Sequence, residues 1–149
     1  MSYPTDPFAH AVHTAEVWLR RITDDLATED RAFAYRVLRA WLHTVRDRLE
    51  VIPAAHLSAQ LPELLRGVYF EGWTPAKVPV SHHASLFLAD FAAAAGVTED
   101  EAQGLAWLIT DALRELFSPG QLDHVAAVLP AELRDILFGV NVGPFDDPS

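Results

Sequence analysis

An internal repeat restricts the fold of this chain more than any other feature of its sequence. Residues 56–62, His-Leu-Ser-Ala-Gln-Leu-Pro, return at 124–130 as His-Val-Ala-Ala-Val-Leu-Pro, an offset of 68 residues. Arg66 matches Arg134 at the same offset, whereas the Thr-Glu-Asp run at 28–30 returns only at 98–100, an offset of 70. The repeat predicts two similar halves that differ by a short insertion or deletion.

The spacing of apolar residues is helical along nearly the whole chain. Val37, Leu38, Trp41, Val45 and Leu49 follow a three-four rhythm, which places them on one face of a helix. No segment alternates apolar and polar residues for long enough to predict a strand. We therefore predict an all-α helical bundle built from two pseudo-symmetric copies of about four helices each.

Capping signals divide each copy into two longer helices followed by two short ones. Thr98 with Glu101 predicts a capping box, and Ser118 with Gln121 predicts another. Proline is tolerated in the first turn of a helix and not beyond it, so three prolines are expected to open short helices. These are Pro53, Pro62 and Pro130.

The same signals predict one all-helical domain over residues 1–149. The first copy covers roughly 8–70 and the second roughly 81–139. Residues 71–80 between them are rich in proline and glycine, which is typical of a linker. The tail at 141–149 is expected to be irregular.

Composition excludes several classes of site. The chain has no cysteine, so disulfides, thiolate catalysis and cysteine-ligated metal centres are ruled out. No apolar run approaches the length of a membrane span, and the N-terminus lacks the basic start and apolar stretch of a secretory signal. A soluble cytoplasmic protein that does not bind membranes is therefore expected.

The net charge of −10 is spread unevenly along the chain. Residues 1–74 carry 8 basic and 10 acidic side chains, a balance of −2, and residues 75–149 carry 3 and 11, a balance of −8. An acidic second half repels polyanions at long range. Nucleic acid is therefore not expected as a partner.

Three short motifs carry a resemblance to a known family. They are Arg-Asp-Arg-Leu at 46–49, Gln-Leu-Pro at 60–62, and Leu-Arg-Gly-x-Tyr-x-Glu-Gly-Trp at 65–73. In this combination and spacing the chain resembles an uncharacterised bacterial family, domain of unknown function 2267, over nearly its whole length. Phe70 departs from the pattern, where a second tyrosine is expected. The resemblance implies a small, soluble, all-helical bacterial protein, and it implies no reaction, ligand or catalytic residue.

The last of these motifs contains the first candidate binding site, formed by Arg66, Tyr69, Glu71 and Trp73. The second copy keeps the arginine as Arg134 and loses the tyrosine, glutamate and tryptophan. Arginine and aromatic side chains are typical of binding hot spots, so the segment predicts a surface for a partner. The structural alternative is that Trp73 fills the groove between the halves, above an ion pair of Arg66 with Glu71.

A basic ridge on the long helix of the first copy is the second candidate. Arg36, Arg39, His43 and Arg46 lie opposite the apolar stripe and could bind a phosphate, an acidic peptide or RNA. The alternatives are a solvated face with ion pairs and a surface that docks on the acidic second half.

Metal and catalytic motifs are weak in this sequence. His10 and His13 are three residues apart on a predicted helix, but no His-Glu-x-x-His or Glu-x-x-His arrangement occurs. His56 and His124 recur beside an apolar stripe, which is typical of packing histidines. No phosphate loop or nucleophile elbow is present. We therefore expect no metal, no cofactor and no enzymatic activity.

Two main hypotheses of function remain, and a third is an anion or RNA binder that uses the arginines of the basic ridge. The first is a non-enzymatic interaction or oligomerisation module that presents residues 66–73, with or without the basic ridge, to a protein partner or to a second copy of itself. The alternative is a small-molecule or metal-binding domain with a pocket between the two halves.

Overall fold

The computed structural model describes residues 6–139, and this part of the chain contains eight α-helices, one short 3₁₀ helix and no β-strand. The first four helices are α1 (Ala9–Asp25), α2 (Arg31–Arg46), α3 (Val51–Ser58) and α4 (Glu63–Phe70). The 3₁₀ helix spans Pro75–Lys77. The last four helices are α5 (Ala84–Ala95), α6 (Glu99–Leu116), α7 (Gln121–Val128) and α8 (Ala131–Phe138). The all-α prediction is confirmed, and the predicted tail at 141–149 lies outside the described residues.

The helices pack around one core that both halves share. Helix α2 packs against α1 and α4, and α6 packs against α5 and α8. Across the halves, α2 contacts α5, α1 contacts α6, and α2 contacts α6 directly. At that central contact the buried Trp41 donates its indole N–H to the hydroxyl of Thr110 at 2.9 Å. The halves therefore do not fold as two separate beads, although the duplication itself stays a prediction.

Most of the capping residues predicted from the sequence lie at the ends of helices in the structure. Thr98 accepts a hydrogen bond from the Glu101 amide at 3.1 Å, and the Glu101 carboxylate accepts one from the Thr98 amide at 2.9 Å, so this capping box is confirmed. Gly96 ends α5 with a φ of 75°, a left-handed conformation that glycine adopts at little cost. Pro62 and Pro130 lie directly before α4 and α8, as predicted.

Two predicted helix starts are wrong. The Ser118 capping box does not form, because Gly120 is the N-cap of α7 at a φ of 82°, two residues after the serine. The Ser118 amide donates instead to the side-chain oxygen of Gln60 at 3.2 Å. Helix α3 begins at Val51, two residues before Pro53, so this proline lies in the first turn and is not its first residue. Proline is tolerated there because amides in the first turn have no intrahelical acceptor.

The offset of 70 between residues 28–30 and 98–100 does not describe the helix caps. Asp30 is the N-cap of α2, where its carboxylate accepts from the Phe33 amide at 3.1 Å. Thr98 is the N-cap of α6, 68 residues later. The loop before α2 is two residues longer than the loop before α6, which accounts for the change of offset from 70 to 68 at this point.

Candidate functional site

The Arg-Asp-Arg run at 46–48 holds the end of α4 and both ends of the linker. Arg46 is buried, and its Nη1 atom donates to the carbonyl oxygens of Tyr69 and Glu71, each at 2.7 Å. These carbonyls lie at the C-terminal end of α4, where the helix supplies no partner. The carbonyl of Asp47 accepts from the Val80 amide at 2.8 Å. Arg46 and Asp47 therefore position the linker against α2.

Arg48 connects the same end of α2 to α5. Its side chain is buried, and Nη2 lies 2.8 Å from a carboxylate oxygen of Asp90. Its guanidinium carbon lies 5.3 Å from the ring centre of Phe87, a cation–π contact. His82 donates through Nε2 to the Arg48 carbonyl at 3.2 Å. The arginines of this motif are thus internal connectors.

The predicted basic ridge is paired within the chain along its whole length. Arg36 donates to the carbonyl of Ala95, the last residue of α5, at 3.3 Å. Arg39 forms an ion pair with Glu71 at 3.1 Å. Arg46 is buried, so it cannot contact an anion, an acidic peptide or RNA, whereas Arg36 and Arg39 keep part of their side chains exposed.

His43 is the remaining ridge residue, and it serves as a neutral hydrogen-bond donor. Its Nε2 atom lies 2.7 Å from the carbonyl of Val68, which can only accept. Burial lowers the pKa of His43 below its ordinary value of 6.5. The hydrogen bond to the Val68 carbonyl raises the pKa, but the positive charges of Arg46 and Arg39 lower it further, and the net shift is downward. The imidazole is therefore held in its uncharged form near neutral pH.

The four residues of the first candidate site differ in exposure: Arg66 and Glu71 are exposed, Trp73 is half-buried and Tyr69 is buried. Tyr69 is buried and donates its hydroxyl to the Ala54 carbonyl at 2.8 Å, and burial raises its pKa. Trp73 is half-buried against Phe70, with ring centres 5.2 Å apart. The predicted alternative pairing of Arg66 with Glu71 does not form, because Glu71 pairs with Arg39 across to α2.

Arg66 has a local structural role, and Arg134 has the same one. Arg66 donates to the carbonyls of Ser58 and Leu61 at 3.1 and 2.8 Å. Arg134 donates to the carbonyls of Ala126 and Leu129 at 3.0 and 2.7 Å. All three positions in the second set lie 68 residues after their counterparts in the first. Each arginine holds the end of one short helix to the start of the next.

A cleft of about 330 Å³ opens between α3 and α7. Its lining includes four residues of α3 and the turn after it: Pro53, His56, Leu57 and Gln60. The same cleft is lined by four residues of α7: Gln121, His124, Val125 and Val128. Each residue of the second set lies 68 positions after one of the first, so the two helices turn the same face toward the cleft.

The cleft is uncharged and largely apolar. Among its lining residues only His56, Gln60, Gln121 and His124 have polar side chains, and none has a carboxylate or a guanidinium group. Over their sixteen residues α3 and α7 carry one formally charged side chain, Asp123. No other pair of packed helices in the described chain is so poor in charge.

Exposed apolar side chains border the cleft. Ile52 is 64% exposed and lies one turn before His56 on α3, and Val128 is 52% exposed on α7. The sequence signal for this surface was the repeated histidine, but His56 and His124 were interpreted as packing residues. Both are exposed, because α3 and α7 meet at the edge of the bundle rather than within it. We call the cleft together with Val51, Ile52 and Val128 the α3–α7 face.

Among residues 6–139, no three histidine, aspartate or glutamate side chains come together in a way that could hold a metal ion. Over the same residues, no helix has the length and hydropathy needed to cross a bilayer.

Comparison with known proteins agrees with the resemblance carried by the three motifs. A search of curated proteins finds no match to this chain. The sequence profile of the family described as uncharacterized conserved protein (DUF2267) matches residues 15–136, which is most of the chain. The chain therefore belongs to the DUF2267 family.

Proposed function

We propose that this protein is a non-enzymatic helical interaction module that binds its partner through the α3–α7 face. The observation that carries the proposal is the combination of a cleft whose lining has no carboxylate or guanidinium group with exposed apolar neighbours on its two helices. The charges nearby are few: Asp123 on α7 and Glu50 at the start of α3. Covering such a surface removes apolar area from water, at roughly 25 cal/mol for each Å². Because the surface carries few charged groups, covering it also removes few ions from water without giving them a partner.

The proposal moves the binding surface away from residues 66–73 and the basic ridge. Those segments supply arginine and aromatic groups, but Arg46, Arg66 and Tyr69 already donate to main-chain carbonyls of the same chain. The buried indole N–H of Trp73 is the exception, since it has no hydrogen-bond partner among the described residues. A partner would have to displace the contacts that hold α4 and the linker in place. The α3–α7 face offers contact area without such a loss.

We further propose that the sequence repeat is an internal duplication, and that the face is its product. The equivalent lining positions on α3 and α7 support this, as do the matching contacts of Arg66 and Arg134. Two related helices, one from each half, would then form one composite surface that neither half supplies alone.

Site-specific photo-cross-linking tests the interaction module. A photoreactive benzoylphenylalanine would replace Ile52 or Val128, with Leu86 on α5, which is 48% exposed, as the matched control. After irradiation in the cells that make the protein, peptide mass spectrometry identifies the product, and the pair is then reconstituted from purified components. We expect the same defined product from positions 52 and 128 and none from position 86. Equal products from all three positions, or none from 52 and 128, would contradict the proposal.

A small uncharged molecule in the cleft is the second candidate function. Its volume of about 330 Å³ is at the lower end of the roughly 300–1,000 Å³ found for ligand pockets. Two imidazoles and two carboxamides at its edges can donate or accept hydrogen bonds. Native mass spectrometry of gently purified protein would detect a bound mass, and His56→Ala with His124→Ala should release it. Protein that carries no additional mass would count against this candidate.

A further inference from the structure

We infer that the partner on the α3–α7 face is a second copy of this chain, held in a twofold-symmetric dimer. This inference rests on the proposed function and names its partner. In the dimer, α3 and α7 of one copy pack against α3 and α7 of the other, so that these helices form one layer. Ile52 of each copy then covers the cleft of its partner. The argument has three steps: the requirement for self-complementarity, the distribution of charge, and the apolar groups left exposed.

A twofold interface places the same surface on both sides, so the surface must be complementary to itself. A patch rich in one sign of charge fails this test, because like charges then face each other. The α3–α7 face passes it, since Asp123 is the only formal charge on its two helices. The equivalent positions on α3 and α7 help further, because either helix of one copy meets a similar helix in the other.

The charge of the whole chain favours a copy of itself over a basic partner at this face. Two molecules with a net charge of −10 repel each other, and the repulsion is weakest where the facing surfaces carry the fewest charges. A basic partner would be attracted instead to acidic surfaces such as the outer side of α6. That helix carries exposed acids at Glu99, Asp100, Glu101, Asp111 and Glu115.

The exposed apolar groups supply the contact. Ile52 is the most exposed of the large aliphatic side chains among the described residues, and Val128 is the second. They lie on the two helices that form the cleft, so one interface can cover both together with the apolar floor at Leu57 and Val125. An acidic chain that dimerises through such a face buries apolar area and keeps its carboxylates in water.

Sedimentation velocity over a range of protein concentrations tests the dimer. The proteins are the wild type, Ile52→Glu, Val128→Glu and the matched control Leu86→Glu, each checked for helix content by circular dichroism. We expect a wild-type monomer–dimer equilibrium whose dissociation constant rises about 100-fold or more for either face variant, because each substitution enters the interface twice. The control should stay within about twofold of the wild type.

Salt provides a test that needs no variant. Adding sodium chloride screens the repulsion between two acidic copies and leaves the apolar contact intact, so wild-type dimerisation should strengthen as salt rises. A dimer that dissociates with salt would indicate an ionic interface and would overturn the inference. A wild-type chain that stays monomeric at every concentration and salt level would overturn it as well.

The cross-linking products separate a failure of this inference from a failure of the proposed function. A monomeric chain whose residues 52 and 128 cross-link one different, identified protein overturns the dimer and leaves the α3–α7 face as the binding surface. A chain that is monomeric and forms no product from either position overturns both. A product with twice the mass of the chain, formed from both positions and absent at position 86, supports the dimer.

Discussion

The C-terminal end of α2 and the α3–α7 face differ in almost every property. At residues 46–48 two buried arginines make hydrogen bonds to carbonyl oxygens and carboxylates at 2.7–2.8 Å. On the α3–α7 face, by contrast, apolar groups and neutral polar groups surround an open cleft. The first region is rich in charge, and its arginines bond within the chain, although the buried Nε of Arg48 has no hydrogen-bond partner there. The second contains the repeated His56 and His124, and its surface is exposed.

Four arginines of this fold donate to carbonyls at the ends of helices. Arg36 reaches the last residue of α5, Arg46 the end of α4, and Arg66 and Arg134 the ends of α3 and α7. Four of the eight helices have only eight residues, so half of the carbonyls in each lack an intrahelical partner. Helices of this length are marginal by themselves. A guanidinium group satisfies the free carbonyls and balances the negative end of the helix dipole.

The largest expected effect is a loss of stability when a buried arginine at the C-terminal end of α2 is replaced. Arg46→Met removes a buried charge and leaves the carbonyls of Tyr69 and Glu71 without their donor. We expect the free energy of unfolding to fall by about 3–5 kcal/mol, measured by urea denaturation. Arg39→Met is the matched control, since it breaks an ion pair whose side chains are 40% and 59% exposed, and it should cost about 1 kcal/mol or less. Equal effects of the two variants would show that the buried arginine is not a structural connector.

A smaller loss is expected at Tyr69. Tyr69→Phe removes one hydroxyl and leaves the buried carbonyl of Ala54 unpaired. Urea denaturation should show a loss of about 1–3 kcal/mol, with dimerisation unchanged among folded molecules. Tyr35→Phe is the control, because Tyr35 is exposed on α2, and its effect should lie within about 0.5 kcal/mol of zero. Weakened dimerisation in Tyr69→Phe would indicate that residues 66–73 belong to the binding surface after all.

The pH dependence of stability should come in part from His43. Its pKa is lowered in the folded protein, so the unfolded chain binds more protons as the pH falls through the ordinary histidine value of 6.5. The contribution of neutral His43 is therefore complete above that value and is lost as the pH falls below it. Urea unfolding on either side of pH 6.5 measures this loss.

His43→Gln should reduce that pH dependence, because glutamine can donate to the Val68 carbonyl without titrating. Leu86→Gln, at an exposed position of α5, is the matched control, because it introduces the same amide without removing a titrating group, and it should leave the pH dependence close to that of the wild type. If the two variants change the pH dependence equally, His43 is not the group responsible.

The smallest effect on stability should accompany the largest effect on binding. Ile52→Glu and Val128→Glu change exposed side chains, so at protein concentrations where the wild type is monomeric the free energy of unfolding should move by about 0.5 kcal/mol or less. Dimerisation should nevertheless be lost. A large loss of stability in both variants would mean that these side chains support the bundle, and the contrast between the two regions would disappear.

The fold was largely predictable from the sequence, because a helical apolar rhythm and a capping box such as that of Thr98 and Glu101 depend on neighbouring residues alone. The failures arose where the backbone departs from local expectation. Ser118 does not cap α7, since Gly120 takes a left-handed conformation there. Pro53 lies within the first turn of α3 and so does not mark its start.

The site was much less predictable. Arg36, Arg46 and Arg66 were selected because their side chains can bind partners, but their actual partners are main-chain carbonyls up to 59 residues away, which have no sequence signature. The repeat of His56 as His124 was visible. That the two histidines line one cleft depends on the packing of α3 against α7, and this is a property of the whole bundle.

Amide hydrogen exchange tests the central claim most directly, with the chain compared alone and in the assembly that cross-linking from position 52 defines. We predict added protection over residues 51–60 and 121–128, with little change at 36–48 and 66–73. That result would locate binding on the α3–α7 face and leave the arginine contacts as internal connectors. Protection that appears instead over residues 66–73 and the basic ridge would contradict the account.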